Sequence, residues 1–100
     1  MVTQQLHEHR AYTRKELVGE VIETIVRNVN CNLDPHSFDE TSDAVNDMHA
    51  DSLDLVGITL DLEKRLCVTL TDDEISEKYK VRDIVDVLYN RLKLEGRIKE

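Results

Sequence analysis

Apolar residues in this chain return at helical spacing and nowhere alternate, and that pattern restricts the fold more than any other feature of the sequence. Leu17, Val18, Val21, Ile22, Ile25, Val26 and Val29 recur at steps of one and three, which lays one broad apolar face along a helix from about Arg14 to Asn30. Thr13, followed three residues later by Glu16, has the form of a capping box and marks the helix start. Asn30 to Ala50 is a long connection rich in turn formers: Asn32, Asp34-Pro35, Ser37, Asp39, Thr41-Ser42-Asp43 and Asn46-Asp47. A loop of that length in a small domain needs pinning, and Phe38, Val45 and Met48 can pin it, with room for one short helical turn. A second helix is predicted from Ser52 to Leu66. Thr71 and Glu74, again in capping-box spacing, precede a short helix that ends by Lys78. Val81, Ile84, Val85, Leu88 and Leu92 share a face of a last helix from about Val81 to Leu94, with Lys and Arg towards its C-terminal end and Gly96 to stop it. The expected architecture is all-α: a small four-helix bundle with three long helices, one short helix and a long loop between the first two long helices. Residues 13–94 make up the helical domain, 1–12 an N-terminal extension and 95–100 a C-terminal tail.

One hundred residues, 40% hydrophobic with four aromatics, suit a single core built from Leu, Ile and Val. No stretch is apolar enough to span a bilayer, and His7, Glu8, His9 and Arg10 break any signal-peptide segment, so a soluble cytoplasmic protein without membrane insertion is expected. Cys31 and Cys67 stand in no metal-ligand or redox spacing and read as reduced thiols without a role. His7 and His9 lack the further ligands a metal needs. Charge is unevenly spread. Residues 1–36 hold five acids and four bases, residues 37–77 hold twelve acids against Lys64 and Arg65, and residues 78–100 hold four acids and seven bases. An acidic middle repels nucleic-acid phosphate and attracts proteins with Lys/Arg patches. A plain solvated surface explains the same charge.

Placed at about 100° per residue, the second helix carries two apolar stripes on opposite sides. Leu55, Ile58, Leu62 and Leu66 form one; Leu53, Val56 and Leu60 form the other, flanked by Asp54, Asp61, Glu63 and Arg65. Too little chain exists to enclose such a helix, so the longer stripe is expected in the core and Leu53, Val56 and Leu60 at the surface as a small docking patch ringed by acids. Ser52 lies at or next to the N-cap of this helix, where unpaired backbone N–H groups and the positive dipole end favour phosphate. Ser is also among the commonest N-caps, so Asp51-Ser52-Leu53 taken by itself reads as capping only, and the surroundings have to decide. No Gly-rich oxyanion turn flanks it and no His is placed in sequence so as to suggest a local base, although His49 and His36 can be brought close by folding, which argues against a self-contained serine hydrolase. A serine without its own base makes better sense as the substrate of another enzyme.

The segment Asp47-Met48-His49-Ala50-Asp51-Ser52-Leu53-Asp54, followed by Val56 and Glu63 in a helix, resembles an acyl carrier protein. The likeness takes in the long preceding loop, Thr71-Asp72-Asp73-Glu74 and the closing amphipathic helix, from roughly Arg14 to Leu94. It implies a non-catalytic protein. A phosphopantetheinyl transferase, using coenzyme A and Mg²⁺, would join 4′-phosphopantetheine to Ser52, and the arm's thiol would carry acyl intermediates as thioesters for fatty-acid, polyketide or a related pathway. Asp51, Leu53, Asp54, Val56, Leu60, Asp61 and Glu63 would then meet the basic docking patches of acyl-loading and acyl-processing enzymes, and the carrier would act as a monomer. Asp directly before the serine is more like acyl than peptidyl or aminoacyl carriers. A peptidyl carrier and an unmodified acidic helical adaptor remain the alternatives. The sequence departs from the family's pattern at His49, where Gly is common, at Gly57, where an acid is frequent, at Lys64 and Arg65 near the helix end, and at Thr71, where Pro is common.

Overall fold

A computed structural model of the chain describes residues 10–30, 32–70 and 79–99. Three α-helices account for most of them: α1 (Arg14–Val29), α2 (Ser52–Leu66) and α3 (Val81–Leu94), with a 3₁₀ turn (Pro35–Ser37) between α1 and α2. Among the described residues there is no strand beyond two isolated bridges. The short helix expected up to Lys78 lies outside the described residues, as does Cys31.

Local chemistry explains each boundary. At the start of α1 the Thr13 hydroxyl accepts the Glu16 N–H and the Glu16 carboxylate accepts the Thr13 N–H, a closed capping box. That N–H holds the Glu16 carboxyl below its usual range. The helix stops one residue short of the expected Asn30, which serves as its extended C-cap. Gly96, at φ +70°, ends α3 in a Schellman turn: the Gly96 N–H bonds the Lys93 carbonyl and the Arg97 N–H bonds the Leu92 carbonyl. The N-terminus of α3 has no side-chain cap. Instead the loop supplies its acceptors, with Val81 N–H bonded to Ser42 O and Arg82 N–H to Glu40 O, both at 2.9 Å.

The core lies where the three apolar faces meet. Leu17, Val21, Ile25, Ile58, Leu62, Leu66, Val81, Ile84, Val85, Leu88 and Leu92 are sealed from solvent. Met48 is fully buried and Phe38 packs half-buried against the core, Ala44 and Ala50 are buried with them, and Val45 is only half-buried and is not among the residues packed on the core. Thr24 is a buried polar residue on the same face of α1; its hydroxyl donates to Glu20 O at 2.7 Å, which satisfies it within the helix. α1 is the central element. Arg14 pins it to the loop and to α3 through Glu40 and Asp86, while Arg65 of α2 reaches back to Glu20 at 2.7 Å. The packed unit also takes in residues that the sequence places outside 13–94. Tyr12 and Arg97 are buried, and Tyr12 pairs with Ile98 in a parallel bridge.

Candidate functional site

The loop entering α2 is a self-bonded turn. The Asp43 carboxylate accepts the N–H groups of Val45 and Asn46, both at 2.8 Å, and the Asp47 carboxylate accepts the Asp43 N–H at 2.7 Å. The chain then turns through His49 in the left-handed region, φ +66°, before Ala50 N–H returns to Ala44 O. That conformation costs a side-chain-bearing residue roughly 1 kcal/mol relative to glycine.

From this turn the chain reaches Asp51, which is the N-cap of α2. Its carboxylate accepts the Asp54 N–H at 2.9 Å and the Asp54 carboxylate accepts the Asp51 N–H at 3.0 Å. Ser52 is therefore the first helical residue and not the cap, because the cap is formed by the two aspartates. It is exposed, and among the described residues its hydroxyl has no hydrogen-bond partner. The capping role that a serine at a helix start commonly plays is thus taken by Asp51.

Beside it, Leu53, Val56 and Leu60 are 79%, 58% and 57% exposed, whereas Ile58, Leu62 and Leu66 of the opposite stripe are buried and Leu55 is half-buried. One helix face is committed to the core and the other is open. The surrounding carboxylates are also held in place. Asp51 and Asp54 use one oxygen each in the capping box, Asp61 accepts the Asn28 side-chain N–H at 3.2 Å, and Glu63 accepts the Leu70 N–H at 2.8 Å. Each leaves a second oxygen unused by these bonds while its orientation is set within the chain.

Two of the sequence's departures turn inward. A Cβ added at Gly57 would stand 2.7 Å from the Asn28 side-chain oxygen, so the glycine leaves room for the Asn28 side chain of α1. Arg65 donates through Nε and Nη2 to Glu20 and lies 3.7 Å from Glu23, a tie between α1 and α2. Cys67 is an exposed free thiol whose backbone, at φ +53°, forms the left-handed cap of α2. Among the described residues no cluster of His, Cys, Asp and Glu could hold a metal ion, and no helix is long and apolar enough to cross a membrane.

The chain is similar to acyl carrier proteins. That of Petrotoga mobilis is 31% identical over 83 residues, covering 83% of this chain and 95% of the relative. This chain belongs to the acyl carrier protein family. The acyl carrier protein of Wolinella succinogenes is 33% identical over 69 residues, covering 69% of this chain and 88% of that protein. The relative in Coprothermobacter proteolyticus is 37% identical over 51 residues; that match spans 51% of this chain and 62% of the relative. No protein-family model matches the chain.

Proposed function

We propose that this member of the acyl carrier protein family carries acyl intermediates as thioesters on a 4′-phosphopantetheine arm attached to Ser52, and catalyses nothing itself. The observation that carries this reading is the solvent-facing Ser52 hydroxyl at the first position of α2, with the cap supplied by its neighbour Asp51. A hydroxyl tied up as a helix cap would have to be released before it could be modified; this one does not. Ser52 would hold the arm through a phosphodiester at the start of α2, where the helix N–H groups favour phosphate.

Delivery to successive enzymes needs docking that is specific yet easily reversed. Leu53, Val56 and Leu60 supply a small apolar contact, and Asp51, Asp54, Asp61 and Glu63 supply charge for partners with basic patches. Carboxylates already oriented by hydrogen bonds within the chain lose little freedom on docking. Rim charges of this kind steer more than they bind, so single replacements slow association and raise its salt sensitivity while affinity falls only modestly. The pathway served is fatty-acid, polyketide or a related acyl pathway.

Mass measurement tests the assignment. Incubation with coenzyme A, Mg²⁺ and a promiscuous transferase adds about 340 Da, the mass of the phosphopantetheine group, and Ser52→Ala abolishes the addition. An unchanged mass with several transferases would favour an unmodified adaptor.

A further inference from the structure

Arg97 is the one charged side chain among the described residues that is nearly sealed from solvent, at 4% exposed. It lies just past the turn that ends α3, where the sequence reads as a tail, and its guanidinium spans three segments. Nη2 donates to Leu66 O at 2.6 Å, Nη1 to Cys67 O at 3.1 Å and to the Glu95 carboxylate at 2.9 Å, and Nε to Arg10 O at 3.0 Å. Its backbone is equally committed. The Arg97 N–H bonds Leu92 O, the Arg97 carbonyl accepts the Tyr12 N–H, and the Tyr12 carbonyl accepts the Lys99 N–H.

The chemistry of this arrangement is directed at α2. The last carbonyls of a helix lack partners within it and carry the negative end of its dipole. A buried guanidinium that donates to two of them satisfies both requirements, and the Glu95 carboxylate balances its charge. Residues 10–12 and 95–99 thus converge near the C-terminal end of the helix whose other end bears Ser52.

We propose that residues 10–12 and 97–99 form a strap that fixes the C-terminal end of α2, with Arg97 as its positioning residue, so that the set of the docking helix depends on both chain ends. The part of this that concerns docking rests on the carrier reading; the strap itself does not. It predicts that anything which displaces either chain end is felt at α2, far from the site of displacement in sequence.

Residue-resolved amide hydrogen exchange on the full chain tests it. Arg97→Met keeps the aliphatic stem and removes the fork, Arg97→Lys keeps the charge with fewer donors, and Lys93→Met removes an exposed charge as a control. In Arg97→Met the Val68 and Tyr12 amides exchange at least about tenfold faster, while Ile25 and Leu88 in mid-helix change less than about threefold. Arg97→Lys gives a smaller effect of the same pattern and carries the test if the Met variant does not fold. Uniform acceleration of every protected amide, or a change at Val68 without one at Tyr12, overturns the strap. In arm transfer to Ser52, Arg97→Met raises the KM of the carrier about three- to tenfold with kcat within about twofold; an unchanged KM overturns the positioning role. Should the unaltered chain never accept an arm, the carrier reading fails and the exchange pattern alone decides the strap.

Discussion

The two ends of α2 are built in opposite ways. At its start, Asp51 and Asp54 cap each other, Ser52 faces solvent, and the apolar side chains of Leu53 and Val56 are left open. At its end, Leu66 is buried, the left-handed Cys67 turns the chain, and Arg97 holds the carbonyls of both residues. The first end satisfies its backbone with neighbours four residues away or fewer, and so makes few demands on the rest of the fold. The second draws on Arg97, far along the sequence, which is itself held by Arg10 and Tyr12. A helix held at one end and along one face can offer the other end to a partner without losing its place in the core, and that division of labour suits a carrier that must meet several enzymes in turn.

The strongest challenge to this contrast compares the two stripes of α2 by chemical denaturation. Leu62→Ala, in the buried stripe, should cost about 2–5 kcal/mol through lost burial and the cavity left behind. Val56→Ala, on the open stripe, should stay within about 0.5 kcal/mol while weakening transfer from partner enzymes. Comparable losses for the two would place the open stripe in the core after all.

A smaller effect concerns the cap. Asp51→Ala removes the acceptor for the Asp54 N–H and should lower stability by about 1 kcal/mol. Because Ser52 depends on that cap for its position, the rate of arm attachment should also fall, and Asp51→Asn, which keeps an acceptor, should recover most of the stability. If Asp51→Ala leaves both stability and attachment unchanged, the aspartate pair does not frame the serine.

The bounds of the helices are readable from sequence, whereas the distant partners that hold them are not. The bounds of α2 and α3 match the expected Ser52 to Leu66 and Val81 to Leu94, and the Thr13–Glu16 box was visible as a spacing, because periodicity and local caps are written in nearby residues. The exposed Leu53, Val56 and Leu60 followed from a helix with two apolar stripes in a chain too short to cover both. Arg97 gave no such signal. A charged residue just after a helix-stopping glycine reads as solvated tail, and only the folded chain brings Leu66, Cys67 and Arg10 to it from distances of up to 87 residues along the sequence. The same is true of Gly57: the contact that a Cβ there would make with Asn28 appears only once α1 is packed against α2.

That contact yields a prediction about how tightly the middle of α2 is held. Gly57→Ala gains about 1 kcal/mol of helix propensity, but the new methyl displaces the Asn28 side chain, whose amide donates to Thr24 O and Asp61. The single substitution should therefore be close to neutral. Combined with Asn28→Ala it should be stabilising, giving a coupling of about 1 kcal/mol in a double-mutant cycle. Strict additivity would mean that Asn28 moves aside freely and that the polar tie between α1 and α2 is slack.

The smallest expected effect lies at the strap, where pH acts on Tyr12. Burial raises its phenol above the ordinary range, partly offset by the Arg10 guanidinium, which stacks 4.9 Å from the ring centre. A group whose folded pKa is raised contributes stability that is fully present below its unfolded pKa and is lost as pH climbs from there through the folded value. Stability should accordingly be flat between neutrality and about pH 9 and decline above about pH 10, the usual tyrosine value. Tyr12→Phe should flatten that decline while leaving the neutral-pH stability within about 1 kcal/mol, since the buried ring is kept. Thermal melting across this range reads the difference. An alkaline decline equally steep in the Phe variant would show that the lysines and other tyrosines set it, and that the ring beneath the strap stays accessible enough to ionise without disturbing the fold.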